Sequence, residues 1–168
     1  MIDREKQGEY KLIRASSSDA AIAAVIYDRV RGKDGSVWDD GYPTLSHATA
    51  DAEAGCLYLL YEGAIAVGCV SVEPISEDND LAFWEIRDET HREISRVAII
   101  PERRGRSLSG KMVSMLLELL RESGVRSVHL LCAVQNTAAK RVYESLGFVF
   151  RGECFRYGHD YLGYEMIL

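Results

Sequence analysis

The chain has 168 residues, 47% hydrophobic and 27% charged with three prolines. That suits one globular domain able to bury roughly 70% of its unfolded surface, and it excludes disordered and fibrous classes. A formal charge of −6 argues against a general nucleic-acid binder, which would carry a basic face. No apolar run reaches membrane-spanning length, and charge runs through MIDREKQGEYKLIR where a signal peptide would be apolar. A cytoplasmic protein with no membrane partner is therefore expected.

Residues 9–15 (EYKLIRA) alternate as a strand does, and Ser16, Ser17 and Ser18 offer N-caps for a helix from Ala20 to about Val30. The stretch 32–44, rich in Gly and Asp, reads as a long loop, followed by a helix over 46–54. Two apolar strands, 56–62 and 64–74, meet at Glu62-Gly63 as a hairpin. Residues 75–90 are polar and acidic and carry no period that assigns them. Residues 94–100 (ISRVAII) read as a buried strand stopped by Pro101. Leu108, Met112, Met115, Leu116, Leu119 and Leu120 then recur at helical spacing as far as Gly124. Residues 127–134 (SVHLLCAV) form another buried strand.

Asn136 or Thr137 caps a short helix in which Ala139, Val142, Tyr143 and Leu146 share a face, and Gly147 ends it. Residues 148–157 and 160–168 close the chain as two strands joined at Gly158-His159. The order βααβββαβαββ belongs to the α/β (α+β) class, with a mixed central sheet of about seven strands flanked by helices. The scattered Cys56, Cys69, Cys132 and Cys154 read as reduced, mostly buried thiols, and no metal site is expected.

The stretch RRGRSLSGKM, 103–112, has the Gly105-x-x-x-x-Gly110-Lys111 spacing of a nucleotide-triphosphate loop. Three requirements of that loop fail. Met112 stands where a hydroxyl would hold Mg²⁺, Pro-Glu-Arg-Arg precedes the turn, and strand 127–134 ends in Ala-Val without a metal-binding Asp. A different anion cradle needs less. Small residues entering a helix let successive backbone N–H groups converge on a phosphate, and the helix dipole reinforces them. Gly105 tolerates positive φ, Ser107 and Ser109 add hydroxyl donors, and Arg104 and Arg106 suit phosphate oxygens. Arg96, Arg103, Arg104, Arg106 and Lys111 make this a basic island on an acidic chain. A surface loop with solvated arginines is the alternative.

The strand, Pro101, Arg104-Gly105-Arg106-Ser107-Leu108-Ser109-Gly110 and the long amphipathic helix resemble the acyl-CoA pyrophosphate site of the GNAT superfamily of N-acyltransferases. The chain departs from the family's Gln/Arg-x-x-Gly-x-Gly/Ala form at Ser107 and Ser109. Asn136-x-x-Ala139-x-x-x-Tyr143-Glu144-x-x-Gly147-Phe148 matches the family's other signature position by position, and Trp38-x-x-x-Tyr42-Pro43 resembles a segment of some members. The resemblance covers nearly the whole chain as one N-acetyltransferase domain.

It implies that acetyl-CoA is the cosubstrate, with its diphosphate held without metal by amides from about Arg104 to Gly110. The preceding strand would pair with the pantetheine arm through Val97 and Ile99, Asn136 and Ala139 would also face it, and Tyr143 would protonate the departing sulfur. Dimerisation through the last strands is a family habit.

For the amine's proton, two bases remain open: Glu93, expected on the strand face of Ser95, Val97 and Ile99, and His91. His129 reads as a satisfied structural histidine, and His47 and His159 as loop residues. In the loop between the first two helices, Trp38, Asp39, Asp40 and Tyr42 are candidates to attract and pack on a cationic amine. The expected activity is acetyl transfer to a small-molecule amine. Acetylation of a protein N-terminus or lysine, or a non-catalytic acyl-CoA-binding regulatory domain, are the alternatives.

Overall fold

A computed structural model of the protein describes residues 9–33, 35–74 and 76–168; the reading of the N-terminal start as free of an apolar leader falls partly on residues 1–8, outside them. The strands are β1 (Tyr10–Arg14), β2 (Leu57–Glu62), β3 (Ile65–Glu73), β4 (His91–Ile99), β5 (Ser127–Ala133), β6 (Val149–Arg156) and β7 (His159–Ile167). They form one sheet in the order β1-β2-β3-β4-β5-β7-β6. Every neighbouring pair is antiparallel except β4 and β5. The helices are α1 (Ala20–Val30), α2 (Leu45–Glu53), α3 (Leu108–Glu122) and α4 (Thr137–Leu146). Among the described residues no helix is long and apolar enough to cross a membrane.

The helices begin and end where local chemistry directs. Ser16 makes a capping box with Asp19 ahead of α1, and the Asn136 side chain accepts from Ala139 N–H at 3.1 Å to start α4. Gly124 (φ 80) and Gly147 (φ 98) end α3 and α4 in the left-handed conformation that glycine adopts freely. Leu108, Met112, Val113, Leu116, Leu117 and Leu120 put one face of α3 into the core. Each such buried side chain contributes about 1.5–3 kcal/mol over its exposed state. Cys56, Cys69 and Cys132 are buried free thiols.

Two features depart from the sequence reading. Strand β4 starts at His91, not Ile94, because His91 and Glu93 are buried at 3% and 6% exposure on partners the local sequence does not announce. It also carries a bulge: Ser71 pairs with Ser95, whereas Cys69, two residues back, pairs with Ala98, three residues on. Arg96 takes up the extra residue in the left-handed region at φ 49. The expected common face for Glu93, Ser95, Val97 and Ile99 is therefore wrong. Glu93 and Ser95 face the α2 side with Ser71, whose hydroxyl donates to Asp51 of α2. Ile99 turns to the α3 side, where a Cβ on Gly68 would lie 2.5 Å from Ile99 Cδ1 and 3.3 Å from Met112 Sδ.

Within the unassigned stretch, residues 76–90 form a strap across the sheet. A 3-10 turn over Glu77–Asp80 begins it, with Ser76 Oγ accepting from Asp78 N–H at 3.2 Å. Phe83 lies over Gly152 and Gly163, where a Cβ would come within 2.5 and 2.4 Å of its ring, so both strand glycines admit the strap. Glu165, fully buried, accepts from the amides of Glu85 (2.9 Å) and Ile86 (3.1 Å) and from Ser127 Oγ (2.7 Å). The strap holds Ser76 and Asp78 beside Glu93.

Candidate active site

The parallel pair β4–β5 is hydrogen-bonded only from His91 to Glu93 on one strand and Ser127 to His129 on the other. Beyond Glu93 the bulge turns β4 away, and the two strands splay. A cleft of about 1360 Å³ occupies the gap, with Ile94–Ile99 on one wall and Leu130–Ala133 on the other. Ile100 N–H bonds the Val67 carbonyl at 2.9 Å, so by the two-residue period of a strand the backbone groups of Val97 and Ile99 face the cleft rather than β3. An extended, amide-bearing chain fits there as an added strand.

At the C-terminal end of β4 the cleft reaches Arg104, Gly105, Ser107, Leu108 and Ser109. Gly105 (φ 76) and Ser107 (φ 56) turn the chain into α3, whose first N–H groups have no intrahelical carbonyl to bond. That arrangement fits a phosphate group. Arg106 and Gly110 do not line the cleft. The basic island is also dispersed. Arg103 and Arg106 pair with Glu62 at 2.6 and 3.6 Å, Lys111 lies over the Tyr10 ring at 4.6 Å, and Arg96 turns to Asp51.

Ser107 is held in a conformation that disfavours any Cβ-bearing residue. Replacing it by glycine is expected to raise stability by up to about 1 kcal/mol, and valine to lower it, with acetyl-CoA affinity of the glycine variant level or improved. Thermal melts and calorimetric titration check both halves. A glycine variant that binds acetyl-CoA more weakly would instead assign the Ser107 hydroxyl to the phosphate.

At the N-terminal end of β4 the cleft is acidic, lined by Glu73, Glu77, Asp78 and Glu93. Glu93 accepts a hydrogen bond from Ser76 Oγ, and burial, reinforced by the charges of Asp78 and Glu73, lifts its pKa to about 8. A carboxyl with that proton affinity suits general-base work near neutrality. His91 does not line the cleft. Its Nε2 lies 2.9 Å from Asn79 Oδ1 and its Nδ1 contacts the Asp88 carbonyl, so both ring nitrogens are engaged in holding the strap. His129 is likewise buried, its ring edge-on to Trp84 and His91. Neither of its nitrogens has a protein partner, so the expected satisfied histidine is corrected; burial lowers its pKa to about 4 and keeps it neutral. His47 lies inside α2, its Nδ1 2.9 Å from Thr44 Oγ1, and His159 opens β7.

Tyr143 lines the cleft from α4 at 7% exposure, with its ring edge-on to Phe148 at 5.7 Å. Burial raises its pKa above that of an ordinary phenol, so it enters any reaction protonated. Asn136 and Ala139 line the same wall. From the α1–α2 loop Trp38, Asp39 and Tyr42 also reach the cleft, whereas Asp40 is exposed outside it. Asp39 is tied to the loop itself: its backbone exchanges hydrogen bonds with Tyr42 at 3.1 and 3.2 Å, and Oδ1 accepts from Gly41 N–H.

Arg96 connects these parts. Its guanidinium donates to Asp51 Oδ2 at 2.7 Å and Oδ1 at 2.8 Å, reaches Glu73 at 3.1 Å, and donates to Tyr42 Oη at 3.0 Å. One side chain thus braces the bulge, α2, β3 and the loop. Sequence reasoning missed Ser76, Asp78 and this role of Arg96. The one local signal was Gly152 and Gly163, since glycine inside a strand marks a close approach.

A mixed sheet splayed at a bulged strand, with a helix N-terminus at one end of the gap and buried carboxyl groups at the other, suits an acyltransferase. The model of the Acetyltransferase (GNAT) family matches residues 23–148, three quarters of the chain, and the chain belongs to that family. The family uses acetyl-CoA as its cosubstrate, and this protein is an acetyltransferase of that kind.

Solved structures share the fold. A GNAT-family acetyltransferase from Streptococcus agalactiae superposes with a TM-score of 0.82 at 20% identity, over 95% of each chain. YncA of Salmonella typhimurium, solved with its cofactor acetyl-CoA, gives 0.75 at 20% identity over 95% of this chain and 94% of that one. The ribosomal-protein-S5-alanine acetyltransferase of Vibrio fischeri gives 0.70 at 16% identity over 94% and 92%. No curated protein sequence matches the chain.

Proposed function

We propose that the chain acts as one catalytic domain that transfers an acetyl group from acetyl-CoA directly to a primary amine of a small cationic molecule. The observation that carries this reading is the acidic end of the cleft, where Glu93 is buried with a pKa lifted to about 8 beside Glu73, Glu77 and Asp78. Such a wall attracts an ammonium group and offers it a base strong enough to take its proton.

In this reading the Arg104–Ser109 loop and the start of α3 hold the diphosphate. The backbone of Val97 and Ile99, with Asn136 and Ala139, holds the pantetheine arm. Glu93 deprotonates the amine, and Tyr143 protonates the departing thiolate. Trp38 and Tyr42 pack on the acceptor while Asp39 adds negative charge.

Calorimetric titration with acetyl-CoA followed by thiol release over a library of small amines tests it. Binding in the micromolar range and turnover that favours dicationic over neutral amines are expected. No binding at high micromolar acetyl-CoA would refute the reading, and binding without turnover on any amine would favour a regulatory domain.

A further inference from the structure

We propose that Ser76 and Asp78, on the strap between β3 and β4, are positioning residues that form with Glu93 a buried proton-holding unit for the acceptor's ammonium group. The inference rests on the acetyl-transfer reading above. Both carboxyl groups line the cleft yet are almost out of solvent, Asp78 at 5% and Glu93 at 6% exposure. Ser76 ties Glu93 to the strap beside Asp78, because its hydroxyl donates to Glu93 Oε2 and accepts from the backbone N–H of Asp78 at 3.2 Å. Tyr157 Oη fixes Asp78 from the β6–β7 turn, at 3.3 Å from Oδ1, and Arg156 approaches the same oxygen at 3.5 Å.

Two neighbouring carboxyl groups so enclosed resist ionising together, so the unit titrates as a pair. Burial raises the pKa of Asp78 as well as Glu93, and the two neighbours of Glu93 act on it in opposite senses: the Ser76 donor favours its anion, and the Asp78 charge opposes it. The other groups facing the pair are Glu73 on β3, Arg96 on β4, Glu77 beside Asp78, and Arg156 and Tyr157 on β6 and its turn. His129, the register partner of Glu93 on β5, stays neutral, and His91 is bound to Asn79 and Asp88.

The proton balance is complete with these groups. An ammonium N–H bond breaks and its proton passes to Glu93. The freed lone pair attacks the thioester carbon, the N–C bond forms, and the C–S bond breaks with its electron pair on sulfur. The thiolate takes the Tyr143 proton, and the second proton lost by nitrogen restores Tyr143. One proton, held by the Glu93 unit, leaves to solvent.

The test is the pH dependence of kcat/KM for the best amine in wild type, Asp78→Asn and Ser76→Ala, with thermal melts to establish that each variant folds. Carboxyl ¹³C NMR of Glu93 in the same proteins reports its titration without turnover. Asp78→Asn removes a like charge, so both the rate limb and the Glu93 titration are expected about one pH unit lower. Ser76→Ala removes a donor to the anion, so both are expected about one pH unit higher.

Losses of rate with stationary limbs would reduce Ser76 and Asp78 to structural residues and overturn the inference, as would a Glu93 titration that shifts while the rate limb does not. Absence of turnover on every amine would sink the acetyl-transfer reading and the inference with it. Turnover with unmoved limbs would sink the inference alone.

Discussion

Replacement of Glu93 by glutamine is expected to lower kcat by about 10²- to 10⁴-fold while leaving acetyl-CoA affinity unchanged. The side chain keeps its shape and its place beside Ser76, but an amide cannot accept the amine's proton. In the wild type only the ionised carboxylate is a base, and its ionised fraction grows as pH rises through about 8. The rate limb of kcat/KM should therefore climb through that region and vanish in the variant.

Stability should move the other way. With a folded-state pKa raised above the unfolded value, the native protein binds more protons than the unfolded chain between those two values. Its stability therefore falls as pH rises through that window. Glutamine removes this dependence, so the variant should melt at or above the wild-type temperature at pH 8. A variant that melts well below wild type would mean that the loss of rate is a loss of fold. A folded variant that turns over at the wild-type rate would remove Glu93 as the base.

Arg96→Met is expected to destabilise the protein by about 3–5 kcal/mol, because breaking a buried ion pair from one side leaves its partner uncompensated. The Arg96 side chain is 8% exposed, and the Asp51 side chain it pairs with is 9% exposed. Methionine keeps the aliphatic stem and the same strain at φ 49, so the difference reports the guanidinium. At about 2–4 °C per kcal/mol for a chain of this size, the melting temperature should fall by about 10 °C.

The double variant Arg96→Met/Asp51→Asn should be less destabilised than the sum of the single ones, since both remove the same contact. KM for the amine should rise as Tyr42 loses its donor. A single variant melting within 2 °C of wild type would show that the network contributes nothing to the fold.

Most of the scaffold was legible because its signals are local. The leucine spacing of α3, the Asn136 cap, Gly147 and the hairpin at Gly63 each specify an element from a few adjacent residues. The same is true of the loop from Arg104 to Ser109, where small residues before an amphipathic helix predict the backbone turn that the structure displays. Tyr143 was legible as a residue of the buried face of a short helix. Its alignment with the cleft came from the family signature rather than from periodicity.

The strap was illegible because its order comes from Glu165, Gly152 and Gly163, some 70 to 80 residues further along the chain. Glu93 and His91, the two candidates for the base, differ only in their three-dimensional neighbours. Both are buried at the start of β4 and two residues apart, yet one opens on the cleft and the other is consumed by Asn79 and Asp88. Of the basic island read from Arg96, Arg103, Arg104, Arg106 and Lys111, four members were drawn apart once Asp51 was found against Arg96, Glu62 against Arg103 and Arg106, and Tyr10 against Lys111.

The sequence by itself determined the order of elements, the capped helices and the loop that enters α3, since each follows from interactions within a few residues. Tertiary structure alone decided the bulge at Arg96, the splay of β4 from β5 that opens the cleft, and the enclosure of Glu93 with Ser76 and Asp78. Those depend on side chains distant in sequence meeting out of water, where their hydrogen bonds and charges set backbone path and proton affinity together.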